Sequence, residues 1–283
     1  SKKFIILDGL QRTNCLLECK RLIEKEGSNG KIRTLEEFNK KLLYVEIWES
    51  IDLKSILYKM VVLNTGQKKM DYSHQLDILN LSLYEKLLKE NVKVITKKEA
   101  DKTRRDKDMF LLATICEGLV SYINKSPISG KKNAAEFLFE RLNIDSEETH
   151  ELDVIFDEKT YDYLIWVVKD FNRLLMDEYG IDGNPLLRYD AFFVSFMASL
   201  GYCFQKNPDN LEKKKKILTS LFSKNNKNKD ALKLKIFKQY YKSFKTGIGE
   251  KRRKFIFETF KDFFLQSEYA DQIEWETTYD RFF

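Results

Sequence analysis

The sequence predicts an α+β protein of two parts, a small strand-and-helix region over residues 1–98 and a predominantly helical region over 99–283. The first part follows from an apolar run, Phe4–Leu7, that stops at Asp8 and Gly9 and leads into an amphipathic segment. That order is typical of a buried strand, a tight turn and a helix. The second part follows from apolar residues that recur at helical spacing almost everywhere beyond residue 100.

After the first helix, the composition of residues 27–34 predicts a loop, and Thr34 with Glu37 forms a capping-box pattern for a helix that extends to about Leu42. The next apolar segments predict a strand, a helix ended by the turn Asn64-Thr65-Gly66, another helix and a short edge strand. These four elements cover residues 43–48, 52–64, 72–89 and 92–95.

Helical periodicity divides the rest of the chain into amphipathic segments, separated by loops that are rich in glycine, proline or charge. The predicted helices cover residues 107–124, 133–141, 158–179, 186–205, 211–223, 231–245 and 251–266. We expect Phe255, Phe257 and Phe260 to lie in the core between helices. We expect the polar side chains of residues 172–173 and 188–190 to be buried or to form hydrogen bonds between helices.

The composition is that of a folded protein with a heavily charged surface. Hydrophobic residues make up 43% of the 283-residue chain, with 21 Phe and 14 Tyr, so the core can be large. No apolar run reaches the length of a membrane span, and no secretory signal is visible at the start of the sequence. We therefore expect a cytoplasmic protein without a membrane partner.

Four cysteines are scattered through the chain without a Cys-x-x-Cys pair, which favours structural thiols in a reducing compartment. They are Cys15, Cys19, Cys116 and Cys203. Cys15 and Cys19 share a helix face at i,i+4, but the chain has only two histidines, so a zinc site lacks supporting ligands.

Net charge is uneven along the chain, with +6 over residues 1–98, −8 over 99–200 and +8 over 201–283. Neutralisation of phosphates supplies most non-specific affinity for nucleic acid, so the two basic regions indicate contact with DNA. The candidate contacts are Lys68, Lys69, Lys251, Arg252, Arg253 and Lys254. The alternative is that these side chains form an ordinary solvated surface.

The turn at Asp8 and Gly9 is suited to holding a phosphate. Glycine lets the backbone approach a ligand, and the free N–H groups of the following helix point at that ligand with partial positive charge. Arg12, in the first helical turn, adds a forked cation, and Gln11 is placed to orient water or contact a base. Asp8 is a candidate Mg²⁺ ligand, with a helix N-cap as the alternative.

The segment FIILDGLQRT resembles the DGQQR or DGQHR signature of the ParB/sulfiredoxin-like superfamily, because Asp8, Gly9, Gln11 and Arg12 match it. Leu10 stands where that signature has glutamine. The branch that carries this signature includes nucleotide-hydrolysing nucleases and DNA-modification sensors of bacterial defence systems. The resemblance implies a small mixed-sheet domain whose usual first strand lies outside this sequence.

A second segment, VVLNTGQKKM, is similar to the turn after the next strand in the same branch, with Asn64 and Gly66 matching. The resemblance implies a nucleotide pocket with this turn as its opposite wall. The implied catalytic residues are Asp8, Gln11 and Arg12, the implied nucleotide-binding residues are Gly9, Arg12, Thr13, Asn64 and Gly66, and the implied Mg²⁺ ligand is Asp8. As an alternative, the Asn-Thr-Gly turn only ends a helix.

Two functions stay open at this point. The first is hydrolysis of an NTP coupled to DNA recognition or cleavage in bacterial anti-phage defence. The second is a non-catalytic regulator that senses DNA or a nucleotide, which Leu10 favours slightly. The first function takes an NTP as substrate with Mg²⁺ as its cofactor, and the second takes a nucleotide or DNA as ligand. The expected further partners are DNA, a second copy of the chain or a defence-system protein.

Overall fold

A computed structural model describes residues 10–26, 34–45, 47, 77, 81–102, 109–127, 130, 132, 134, 137, 158–180, 186–222, 230–266 and 272–283. Contacts between residues divide the chain into two compact units, Ser1–Met70 and Asp71–Phe283. The described residues are mostly helical and include a small two-stranded parallel sheet, in agreement with the predicted α+β class.

The described part of the first unit contains two helices, α1 (Leu10–Glu26) and α2 (Leu35–Asn39). Helix α2 begins with the predicted capping box. Thr34 N donates to Glu37 Oε2 at 3.2 Å, and Glu37 N donates to Thr34 Oγ1 at 3.1 Å. Each side chain thus satisfies a backbone N–H that the helix itself leaves without a partner.

The strand predicted at 43–48 is not formed where the structure describes it, because residues 41–45 and 47 have no regular secondary structure. Their apolar side chains are exposed, from 63% for Val45 to 101% for Leu42. A strand needs a hydrogen-bonded neighbour, and partial alternation in a sequence does not supply one. The prediction is wrong for these residues.

The described part of the second unit contains the two-stranded sheet and an array of helices. Its elements in chain order are α3 (Leu81–Lys89), β1 (Val94–Ile95), α4 (Lys97–Ala100), β2 (Phe110–Leu111), α5 (Leu112–Asn124), α6 (Glu158–Ile165), a π-helical segment (Trp166–Phe171), α7 (Asn172–Tyr179), a 3₁₀ turn (Leu186–Arg188), α8 (Asp190–Lys206), α9 (Pro208–Leu221), α10 (Leu234–Ser243), α11 (Ile248–Leu265) and α12 (Trp275–Phe282). Most of the helices predicted beyond residue 158 are confirmed, with small shifts at their ends. None of the described helices is both long enough and apolar enough to cross a membrane.

The two strands run parallel and pair Val94–Ile95 with Phe110–Leu111. The short strand predicted at 92–95 is confirmed, whereas β2 occupies the start of a segment predicted as helix. A strand of two residues is too short to show a period in the sequence. The pairing joins residues on both sides of position 98, and the first compact unit ends at Met70. The domain boundary at 98 stays a prediction.

Helix α8 lies at the centre of the core and packs against both α5 and α11. The Phe196 ring on α8 lies 4.9 Å from the Phe171 ring and 4.7 Å from the Phe260 ring, measured between centroids. Phe255 and Phe260 on α11 are fully buried and Phe257 is 8% exposed, which confirms their predicted place in the core. Stacked and edge-on aromatic pairs of this kind stabilise a core beyond the area that they bury.

Helices α5 and α8 approach each other closely at Gly201. A Cβ atom at this position would collide with the carbonyl oxygen of Tyr122 on α5. On the α5 side, a Cβ at Gly118 would collide with the Phe193 ring. The two glycines therefore set the distance between the central helices.

A π-helical segment, Trp166–Phe171, interrupts the long helix predicted at 158–179. Within it, the rings of Trp166 and Phe171 stack at a centroid distance of 5.5 Å. The hydrophobic pattern continues on both sides of the segment, so the sequence alone shows one continuous helix.

Candidate functional sites

Helix α1 begins at Leu10, directly after the glycine of the predicted turn, which confirms the predicted start of this helix. Its first turn holds no acidic residue. Arg12 lies in that turn and is exposed, and Thr13 is half-buried. The first N–H groups of a helix have no partner within the helix, so this end attracts an anion and Arg12 adds a cation beside it.

The remaining residues of the predicted nucleotide pocket lie outside the described part of the chain. They are Asp8, Gly9, Asn64 and Gly66, together with the side chain of Gln11 and the neighbouring Lys68 and Lys69. Their roles stay predictions. Among the residues that the structure does describe, no group of three or more His, Cys, Asp or Glu side chains could hold a metal ion.

The predicted basic run Lys251–Lys254 lies near the start of α11. Successive residues of a helix point about 100° apart, so four consecutive cations cannot share one face. Arg253 turns inwards, where its Nη2 lies 3.0 Å from Glu117 Oε1. The side chains of this ion pair are 12% and 1% exposed, so Arg253 lies buried between α11 and α5, where it neutralises the charge of Glu117.

Glu117 is the centre of a polar cluster between helices. Besides the bond to Arg253, its Oε1 accepts a hydrogen bond from Gly130 N at 3.1 Å, which ties the chain after α5 back to that helix. One turn before this glutamate on α5, Thr114 Oγ1 donates to Asp190 Oδ1 at 2.8 Å. This contact confirms for Asp190 the expected hydrogen bond between helices. The expectation is wrong for Arg173, which is exposed and pairs with Asp170 one turn earlier, and Tyr189 is 52% exposed.

Arg252 is also engaged within the protein. Its Nε donates to the Tyr241 carbonyl oxygen at 2.9 Å, and its guanidinium carbon lies 4.2 Å from the centroid of the Tyr241 ring. Burial raises the pKa of the Tyr241 hydroxyl, and the positive charge of Arg252 opposes that rise. The guanidinium is therefore held over the Tyr241 ring by a cation–π contact and a hydrogen bond.

Lys251 and Lys254 are the exposed members of the run. They are three residues apart and therefore neighbours on the helix surface. Lys251 Nζ donates to Thr246 Oγ1 at 3.3 Å, and Lys254 Nζ lies 5.3 Å from the centroid of the Phe282 ring. Of the four predicted DNA contacts on α11, these two are the ones best placed to meet a phosphate backbone.

The basic run Lys213–Lys216 on α9 repeats this arrangement. Lys214 is fully buried, and its Nζ lies 5.2 Å from the centroid of the Phe263 ring. Lys213 and Lys216 are exposed. A run of four cations in a helix therefore contributes fewer surface charges than its sequence indicates.

The cysteines separate into two classes. Cys116 and Cys203 are buried, as expected of structural thiols, and burial raises the pKa of both, to about 12 for Cys203. Cys15 and Cys19 on α1 are exposed, so for these two the prediction of structural thiols is wrong. The apolar residues around them belong to a helix face that the described structure leaves exposed to solvent.

Sequence reasoning missed Glu117 as the hub of the buried polar cluster. A signal was present, because Glu117 is the sole charged residue of the apolar helix α5, LATICEGLVSYIN. A lone carboxylate in such a helix needs a buried partner. The sequence did not identify Arg253 as that partner, since the two residues are 136 positions apart.

Comparison with known proteins adds no relationship, because no protein-family model, curated protein or solved structure matches this chain.

Proposed function

We propose that this chain is a ParB/sulfiredoxin-like protein that binds a nucleotide at the start of α1 and hydrolyses it in connection with DNA recognition or cleavage in bacterial anti-phage defence. The observation that carries the proposal is the position of Arg12. It is exposed in the first turn of a 17-residue helix that starts directly after the motif glycine, in a turn without acidic residues. The proposed setting is the cytoplasm.

In this proposal the free N–H groups at the start of α1 bind the phosphate and Arg12 contacts it with two parallel hydrogen bonds. Arg12 also stabilises the charge that develops on the phosphoryl group during transfer. Asp8 would hold Mg²⁺, which would neutralise charge on the phosphate, and Gln11 would orient the attacking water. Gly9, Thr13, Asn64 and Gly66 complete the pocket, as the family resemblance implies.

The test is the variant Arg12→Ala, with Arg21→Ala as its matched control on the same helix. Arg21 pairs with Glu18 at 3.5 Å and is exposed, so its loss leaves the helix start unchanged. A charge-assisted phosphate contact contributes about 2 to 3 kcal/mol, so Arg12→Ala should weaken NTP affinity about 30-fold or more. Calorimetric titration of each protein with NTP in the presence of Mg²⁺ measures the affinity. Equal affinities of the folded Arg12→Ala and Arg21→Ala proteins would overturn the nucleotide site.

Phosphate release from NTP, measured with and without DNA, separates the two candidate functions. Release that depends on Arg12 supports the enzyme. Nucleotide binding without release supports the sensing regulator, which is the second candidate because Leu10 replaces the glutamine of the motif.

The DNA part of the proposal depends on Lys251 and Lys254, the exposed cations of the α11 run. Charge reversal of both to glutamate should weaken gel retardation of duplex DNA and lower the log–log salt slope by roughly 0.9 per lost phosphate contact. The control is the same double reversal at Lys213 and Lys216 on α9. No retardation of DNA by the parent protein at low salt would remove nucleic acid from the partners.

A further inference from the structure

We propose that Cys15 and Cys19 form a two-thiol site on α1 that binds a monosubstituted trivalent arsenical through two As–S bonds. The proposal is independent of the nucleotide site. It rests on the exposure of both thiols, their spacing on one helix, and the number of ligands that they supply.

The spacing suits chelation. Cys15 and Cys19 both lie inside the 17-residue helix α1, and residues at i,i+4 of a helix have Cβ atoms about 5 to 6 Å apart on one face. Bonds from sulfur to a soft metal ion are about 2.3 Å long, so both Sγ atoms can reach one ion between them. A disulfide needs Cβ atoms about 3.8 Å apart, so an intact helix disfavours that bond between these two residues.

The other two thiols of the chain are excluded from such a site by burial. The thiolate is the form that binds a soft ion, and burial in apolar surroundings disfavours it. Cys116 and Cys203 are both buried, with pKa values raised by desolvation. They therefore serve as internal controls for reaction at Cys15 and Cys19.

The number of thiols that α1 supplies determines which thiophilic species fits the site. Structural zinc takes four protein ligands, whereas α1 offers two thiols, and the described residues contain no cluster of three or more His, Cys, Asp or Glu. A monosubstituted trivalent arsenical needs only two thiolates, because its third bond goes to its own organic group. Thiolates are the soft ligands that such an ion prefers.

The binding step balances without a redox partner. The hydrated arsenical carries two hydroxyl groups on arsenic. Each Sγ forms one As–S bond while one As–O bond breaks, and each hydroxyl leaves as water with the proton of the attacking thiol. Arsenic stays trivalent, and both sulfurs keep their oxidation state.

The experiment titrates the full, reduced chain with phenylarsine oxide and counts bound equivalents by native mass spectrometry. One tight equivalent is expected, with two of the four cysteines protected from a thiol reagent. Cys15→Ser and Cys19→Ser should each weaken binding about 100-fold or more, since the second bond of a chelate forms at high effective concentration. Cys203→Ala should keep the tight equivalent.

A displaced pair provides the decisive control. In Cys19→Ser with Lys20→Cys, the chain still carries two exposed positions with thiols, but they are five residues apart and point to different faces of α1. This variant should bind like a single-thiol protein while retaining the helical circular dichroism of the parent. Equal binding by the displaced pair, or protection of Cys116 and Cys203 in place of Cys15 and Cys19, would overturn the site.

Discussion

Helices α1 and α8 each have 17 residues, yet they differ completely in burial. Eleven residues of α8 are buried, whereas none of the side chains described in α1 is. The sequences explain the difference, because α8 is apolar around its whole circumference while α1 distributes seven charged residues among its apolar ones. A helix of the first kind builds a core, and a helix of the second kind presents cations and thiols to solvent.

The largest change in stability is expected when an apolar side chain of each helix is replaced by alanine. Phe196→Ala on α8 should lower the free energy of unfolding by about 3 to 5 kcal/mol, because it removes ring contacts with Phe171 and Phe260 and leaves a cavity. Leu17→Ala on α1, where the side chain is 62% exposed, should change it by less than about 0.5 kcal/mol.

Urea denaturation followed by far-UV circular dichroism measures both variants, because helices of both units contribute to that signal. Tryptophan fluorescence follows the unit of α8 separately, because Trp166 and Trp275 are buried in that unit. Similar losses for the two variants would contradict the contrast between the helices. A loss below about 1 kcal/mol for Phe196→Ala would contradict the central position of α8.

The next test adds one methyl group to a glycine in each of two helices. Gly201→Ala should destabilise the protein by about 3 kcal/mol, because the new Cβ meets the backbone of Tyr122 and the helices must move apart. Gly249→Ala, in the first turn of α11, meets nothing within 4 Å and should stabilise the protein by up to about 1 kcal/mol. Thermal unfolding of both variants checks the sign, and destabilisation by Gly249→Ala as large as by Gly201→Ala would refute the close approach.

The sequence predicted most helices well because their start and stop signals are local. Thr34 with Glu37 caps α2 as predicted, and Asn207 caps α9 by accepting a hydrogen bond from Asn210 N at 3.0 Å. The sequence predicted the strand at 92–95 but not its parallel pairing with β2, and it predicted a strand at 43–48 that is not formed where the structure describes it. Both errors have one cause, since strand pairing depends on partners that no local pattern identifies.

At the candidate sites, too, the sequence predicted local features but not contacts between distant segments. The start of α1 follows from a local turn pattern, so the sequence placed Arg12 in the first helical turn correctly. The inward orientation of Arg253 depends on Glu117 in another helix, and no local pattern indicates it. Basic runs in helices therefore need a structure before they are counted as binding surfaces.

A smaller effect is expected at the buried ion pair that joins α5 to α11. Glu117→Gln keeps the shape of the side chain but leaves Arg253 without its carboxylate, and it should cost about 2 to 3 kcal/mol of unfolding free energy. The control is Asp262→Asn, which removes an ion pair with Arg281 whose side chains are 22% and 50% exposed. Pairs of this kind contribute up to about 1 kcal/mol.

The readout for this pair is urea denaturation in low and high salt. The cost of Glu117→Gln should hardly change with salt, because a buried pair is weakly screened, whereas the smaller cost of Asp262→Asn should shrink. A salt-sensitive Glu117→Gln effect would indicate that the pair is open to water.

The smallest effect is expected from the loss of a helix cap. Each of the two units has a capping box, so the two caps can be compared. In the second unit, Thr96 Oγ1 accepts from Glu99 N at 3.3 Å, and Thr96 N donates to Glu99 Oε2 at 2.8 Å. Loss of such a cap costs about 1 kcal/mol, so Thr96→Ala should lower the unfolding free energy of this unit by that amount. Thr34→Ala removes the equivalent cap of α2 and should leave the fluorescence transition of the second unit unchanged.

At acidic pH, Thr96→Ala should lower the free energy of unfolding by less than it does at neutral pH. The hydrogen bonds from the Thr96 backbone N–H and then its hydroxyl hold the pKa of Glu99 below its ordinary value. A carboxyl with a lowered folded pKa stabilises the fold above its unfolded pKa of about 4.3, and this contribution is lost as pH falls through the folded value. Near pH 3 the parent therefore loses the part of the stabilisation that the Thr96 hydroxyl supplied, so parent and variant should differ less than at pH 7. A cost that grows in acid would show that Glu99 does not bond to Thr96 as a carboxylate.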